Sequence, residues 1–117
     1  MKVKTADLIG PALDWAVAKC EGWNVSVDEF LRSQLANSKF AYSTVWAKGG
    51  PLIEWEKIRL VFRDLGTASY WCAEAHEAYQ GNQYIDGKGP TPLIAAMRCY
   101  VASKLGDEVE IPSELQP

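Results

Sequence analysis

The stretch Thr91-Pro92-Leu93-Ile94-Ala95-Ala96-Met97-Arg98-Cys99-Tyr100-Val101-Ala102-Ser103-Lys104-Leu105-Gly106 constrains the fold of this chain more than any other segment. Thr91 offers an N-cap hydroxyl, Pro92 takes the first helical position where its missing N–H costs nothing, and Gly106 can adopt the left-handed cap. This pattern predicts a helix over 92–105. Leu93, Ala96, Met97, Tyr100, Val101 and Leu105 make one broad apolar face, and Ile94, Ala95, Cys99 and Ala102 cover much of the rest. A helix that is apolar nearly all round has to be packed on more than one side. The remaining chain must therefore wrap it. Arg98 is the exception on this helix: a cation in such surroundings needs a partner, and Glu54, Glu74 and Asp14 are the candidate carboxylates.

Two more helices are written plainly. Gly10-Pro11 opens one that runs over about 11–21, with Leu13, Ala16, Val17 and Cys20 on one face and Gly22 as its stop. Ser26-Val27-Asp28-Glu29 is a capping box, and the helix it starts runs over about 27–36 with Phe30, Leu31 and Leu35 expected in the core. From Tyr42 to Pro51 the chain is rich in Ser, Thr and Gly and reads as irregular.

Residues 52–65 carry two patterns at once. Ile58, Leu60 and Phe62 alternate with Arg59, Val61 and Arg63 as in a half-buried strand, whereas Trp55, Ile58, Phe62 and Leu65 recur at helical spacing. The β-rich Ile-Arg-Leu-Val-Phe run and the turn-like Asp64-Leu65-Gly66-Thr67 favour a hairpin of about 58–63 and 70–75, with Leu52–Lys57 as a helical turn before it. Gly81 through Gly89 reads as a surface loop, and the acidic tail Asp107–Pro117 as loosely packed. Met1 and Val3 alternate with Lys2 and Lys4, a candidate N-terminal edge strand. The resulting expectation is an α+β fold: a small antiparallel sheet packed by three helices, near 11–21, 27–36 and 92–105.

At 117 residues the chain suits one domain, 1–117, with a core that needs no disulfide or metal. Cys20, Cys72 and Cys99 are an odd set without close pairing, as expected of reduced thiols. The start of the chain has no apolar run of signal-peptide length, and nothing later is long enough to span a membrane. These features lead to the expectation of a cytoplasmic protein. A net charge of −3 weighs against nucleic-acid coating, which relies on clustered cations.

Four blocks carry a family resemblance: Lys2-Val3-Lys4-Thr5, Ala12-Leu13-Asp14-Trp15-Ala16-Val17-Ala18-Lys19, Trp46-Ala47-Lys48-Gly49-Gly50-Pro51-Leu52-Ile53-Glu54 and the long run from Gly89 to Gly106. Together they span both ends and the middle, and they resemble the NinX-like phage proteins. Such proteins are encoded by lambdoid-type phages and prophages among small accessory genes of the nin region. The resemblance implies a phage accessory protein in the cytoplasm of a bacterial host, and it brings no established activity. The chain departs from the family pattern at Val45, where an acidic residue is usual, and at Lys48, where Gln is usual. The segments Trp23–Phe40 and Tyr70–Tyr84 match least.

No stretch spells out a known chemistry. Cys72 and His76 would share a face if helical, and Cys20 and Cys99 could then complete a zinc site. Zinc sites, however, show close ligand pairs and this chain has none, so no metal and no cofactor is expected. The same Cys72 and His76 could serve as nucleophile and base of a small enzyme with a pocket near Tyr42–Glu54. Gly49-Gly50-Pro51 could form a nest of backbone amides for an anion, or simply a tight turn. Lys57, Arg59 and Arg63 could form a basic strip that binds nucleic acid weakly, which the net acidity disfavours, or a solvated sheet face. Five tryptophans (Trp15, Trp23, Trp46, Trp55, Trp71) are many for this length, and any that are exposed point to a protein partner. The reading that best absorbs these features is a non-catalytic interaction module for a host or phage protein, a homodimer being one form of it. Its candidate binding residues are Tyr42, Trp46, Gly49, Gly50, Pro51 and Glu54.

Overall fold

In the computed structural model, which describes residues 1–76 and 84–115, nine elements follow in order: β1 (Lys2–Lys4), α1 (Gly10–Cys20), α2 (Val27–Ala36), α3 (Trp46–Trp55), β2 (Arg59–Asp64), β3 (Ser69–His76), β4 (Tyr84–Gly89), α4 (Pro92–Leu105) and β5 (Glu108–Glu110). Short 3-10 turns lie at Thr5–Asp7 and Ser113–Leu115. The fold is α+β, with a three-stranded antiparallel sheet in the order β2-β3-β4 and a separate two-stranded pair, β1 with β5.

α4 covers the predicted span, and the Thr91 hydroxyl accepts from the Ile94 amide at 3.1 Å. Leu93 to Met97 and Cys99 to Val101 are all buried. The sheet covers one side of α4, chiefly through β4 and β3, while α1 and α3 pack against it elsewhere. What allows this is glycine. A Cβ at Gly87 would come within 2.5 Å of the Ala95 carbonyl oxygen and the Cys99 amide, and one at Gly89 within 2.8 Å of the Ile94 side chain. Alternate residues of a strand share a face, so the two glycines clear a strip on which the helix backbone rests. The surface loop expected over Gly81–Gly89 is thus corrected from residue 84 onward; residues 81–83 lie outside the described chain. Glycine reads as a breaker when its neighbours are unknown, but here it serves a close approach.

Three further expectations are revised. The N-terminal strand forms, but it joins β5 rather than the hairpin sheet, with Val3 opposite Val109. The Thr5 hydroxyl donates to the Gly106 carbonyl at 2.6 Å, which ties this pair to the end of α4. The tail therefore does not fray over the described residues: Ile111 and Leu115 are buried in the core. Finally, the Tyr42–Pro51 region is not irregular throughout, because α3 begins at Trp46 and runs through Gly49-Gly50-Pro51 to Trp55. Close packing explains why Gly49 is tolerated there: a side chain would collide with the Tyr42 carbonyl and Leu93.

The hairpin stands as expected. Leu60 pairs with Ala73 and Phe62 with Trp71, and the Asp64 carboxylate accepts the Gly66 amide in the turn. α2 begins at its capping serine, the Ser26 hydroxyl accepting from the Glu29 amide. Phe30 is buried as predicted, but Leu35 is 92% exposed because it lies on the outer side of this short helix. Phe30 meets Trp15 edge-on and stacks on Phe40, which Trp23 flanks, so an aromatic cluster fixes α2 and the following segment onto α1.

Two glycine substitutions separate close approach from chain flexibility. Gly87→Ala should destabilise by about 3 kcal/mol or more, since its methyl would meet backbone atoms that cannot move independently. Gly50→Ala should instead raise stability by about 0.5–1 kcal/mol, because its methyl finds only the Trp46 ring at 3.7 Å and helix propensity improves. Thermal melts of the two variants check the contrast.

Candidate functional site

α1 presents seven consecutive buried residues, Ala12 to Ala18, and one of them is a carboxylate. Asp14 is only 5% exposed. It is held there by the segment that follows α2. After a left-handed step at Ser38, where φ is 52°, the chain turns back across α1, with Phe40 anchored in the aromatic cluster. This brings the Ser43 amide to 2.9 Å from Asp14 Oδ1, to which it donates. Ser43 is 2% exposed, and its hydroxyl makes no hydrogen bond of good geometry.

A cleft of about 240 Å³ opens beside this pair, bounded by Gly10, Pro11 and Asp14 of α1, Gln34 of α2, and Phe40 and Thr44 of the crossing segment. Burial raises the Asp14 pKa from 3.8 to about 6, against the opposing influence of the Ser43 hydroxyl and amide. Among the described residues no cation pairs with it. A buried, titratable carboxylate at a cleft is the kind of group that functional sites are built around.

The residues singled out in the sequence are distributed differently. Tyr42 is buried, and its carbonyl lies against Gly49. Trp46 is 54% exposed beside Gly50, while Pro51 and Glu54 also face solvent. The structure thus joins Tyr42 and Gly49 as packing partners and leaves Trp46, Pro51 and Glu54 on the surface. The Lys48 and Gly49 amides both donate to the Val45 carbonyl, at 2.9 and 3.0 Å, so these two amides of an anion nest are already taken.

Arg98 finds carbonyls where a carboxylate was expected. Its Nε donates to Leu8 O at 2.8 Å and an Nη to Lys88 O at 2.7 Å, pinning α4 to the segment before α1 and to β4. Among the described residues none of Glu54, Glu74 or Asp14 pairs with it. A second cleft, of about 270 Å³, lies around Arg98, Thr5, Asp86 and Asp107.

Cys72 and His76 lie on a strand, not a helix, so positions four apart are separated by roughly 13 Å of backbone. Cys72 lines a shallow cleft with Tyr70, Glu74, Asp86 and Lys88, which contains none of the residues 42–54. Among the described residues no three His, Cys, Asp or Glu side chains gather as a metal site would require. Burial pushes the Cys20 and Cys99 thiols up to about 12. Of the basic strip, Arg59 and Arg63 share one face of β2, and Arg63 lies 3.7 Å from Glu74. Lys57 precedes the strand in a left-handed conformation.

Asp14 and Ser43 went unnoticed in the sequence as a pair. The available signal was a lone carboxylate inside the apolar run Ala12 to Ala18, and nothing local marks Ser43 as its partner.

Two measurements test this description. Folded protein binds the Asp14 proton more tightly than unfolded chain, so Asp14 costs stability as pH rises from about 3.8 to about 6, and the cost persists above that. Asp14→Asn should therefore stabilise at pH 7–8, by at most about 3 kcal/mol, with the gain vanishing near pH 4. Denaturant melts across that range check it. A thiol probe at pH 7 should modify Cys20 and Cys99 at least about a hundredfold more slowly than free cysteine, given thiolate fractions so small.

Comparison with known proteins bears on the whole chain. No curated protein matches the sequence. The profile of one family, described as Bacteriophage P22, NinX, matches residues 4–104. That span includes α1 with Asp14, the crossing segment with Ser43, α3 and nearly all of α4. With a match over so much of its length, the chain belongs to the phage NinX family.

Proposed function

We propose that residues 1–117 form one NinX-like domain that acts in the host cytoplasm as a non-catalytic interaction module for a host or phage protein. Family membership makes it a phage-encoded accessory protein. The observation that carries the finer reading is α3. This helix leaves Trp46 54% and Trp55 80% exposed, with Val45 just before it also at the surface. Tryptophan loses little conformational entropy when ordered and contributes large area, and it is enriched among the residues that dominate interface energy.

The helix is also rigidly held. Gly49 is pressed against Tyr42 and Leu93, and Glu56, just beyond the helix end, reaches Lys104 of α4 at 3.4 Å. A surface fixed in advance loses less on association than a mobile one. The binding surface therefore centres on Trp46, with Gly50, Pro51 and Glu54 beside it and with Tyr42 and Gly49 as its support. A second copy of the chain could occupy the same surface. Among the described residues no helix is long and apolar enough to cross a membrane.

The test is an affinity pull-down from phage-infected cells. Wild-type protein should retain a partner, or a second copy of itself, at near-stoichiometric yield. Trp46→Ala should weaken that association by about tenfold or more. Leu35→Ala, on the far more exposed α2 site, should leave it unchanged. Absence of any partner above background, together with a monomer in sedimentation, would sink the reading.

A further inference from the structure

We propose that the cleft between the first turns of α1, the end of α2 and the 38–45 segment binds an ammonium or guanidinium group on a short apolar stem, with Asp14 as its counter-ion. This inference concerns a different surface from α3 and stands or falls separately from the interaction proposed there.

Three observations converge on it. Asp14 lines the cleft, is only 5% exposed, and receives a single good hydrogen bond, from the Ser43 amide. The Ser43 hydroxyl beside it is buried and makes no hydrogen bond of good geometry, though it lies close enough to oppose the rise of the Asp14 pKa. The cleft of about 240 Å³ has an apolar wall from Pro11, Phe40 and Ala41. Its size falls short of the roughly 300 Å³ at which pockets for drug-sized molecules begin, so it suits something as small as one side chain. Lys and Arg bury their methylene stems along apolar surface while the head finds a polar partner.

Charge decides the sign of the ligand. The start of α1 also faces the cleft, and a helix N-terminus carries about half a positive charge. Pro11, however, has no N–H to offer, and the full negative charge of Asp14 lies within the same helix. An anion would meet that carboxylate. The other groups facing it are neutral: Gln34 from α2, and Ser38 and Thr44 from the crossing segment. Tyr42 is the titratable neighbour, and burial together with the charges of Glu21 and Asp14 holds its phenol protonated.

The energetics favour a cation for a further reason. Burying an ion pair is costly because both charges leave water. Here folding has already desolvated the carboxylate, so the ligand loses only its own hydration. Proton and ligand then compete for Asp14, and affinity should fall as the pH drops through about 6.

An NMR titration of the full chain at pH 7.5 tests the site, with n-butylguanidinium, n-butylammonium and the neutral 1-pentanol as probes. Saturable shifts are expected at the Ser43, Thr44 and Gln34 amides with both cations, and binding about tenfold weaker with 1-pentanol. Asp14→Asn should reduce cation binding to the level of the alcohol. Wild-type titrations at pH 7.5 and 5.5 give an independent readout that needs no variant: affinity must fall about threefold or more at the lower pH. Capped arginine binding more tightly than butylguanidinium assigns the cation to a partner's side chain, and the reverse order assigns it to a free small amine; either supports the site. Absence of saturable shifts, equal binding of the alcohol, or cation binding retained by Asp14→Asn overturns it.

Discussion

The contact between the backbone of α4 and the glycine strip of β4 is the constraint on which the rest depends. Strand and helix approach so closely that a Cβ at Gly87 would displace main-chain atoms and one at Gly89 would press on the Ile94 side chain. Once α4 lies there, its remaining apolar surface dictates what surrounds it. α1 packs on another side, α3 flanks it, and Arg98 bridges it to the carbonyls of Leu8 and Lys88. The cation expected to need a carboxylate is satisfied by two carbonyl oxygens. This arrangement suits a position that is only partly buried, where charge-assisted hydrogen bonds suffice without a buried ion pair.

What was legible in the sequence follows from how local each signal is. α2 and α4 were predicted to the residue because capping serine and threonine act within one turn. The hairpin was legible because its alternation and its turn lie within a few residues of each other. β4 was missed because its glycines are explained by a helix that begins three residues later in sequence and lies on the other side of a fold not yet formed. α3 was missed for a related reason. A Gly-Gly-Pro run disfavours a helix locally, and only the contacts with Tyr42 and Leu93 explain the first glycine. The β1–β5 pairing joins residues more than a hundred positions apart, beyond the reach of any local pattern.

The candidate sites divide along the same line. Trp46 is singled out in the sequence by its place beside Gly49-Gly50-Pro51, whereas its exposure and its place on a helix emerge only from the fold. Asp14 and Ser43 are 29 positions apart, and their relation is created by the aromatic cluster of Trp15, Phe30 and Phe40 that folds one segment over the other. An acid in an apolar helix marks a conflict between local chemistry and global packing. Such conflicts concentrate where a protein does something besides fold.

The position of α4 along the chain has a consequence for biosynthesis. Residues 92–105 leave the ribosome after α1, α2, α3 and all three strands of the main sheet. Until then the glycine strip and the part of α1 that packs on α4 have no partner, and the strand β1 has none until residue 108 is made. Nascent chains therefore hold the surfaces that α4 covers in waiting until residues 92–105 are made. Because α4 contacts α1 and β5 pairs with β1 across long stretches of sequence, completion of the core waits on residues 92–110, and such non-local contacts form more slowly than local ones.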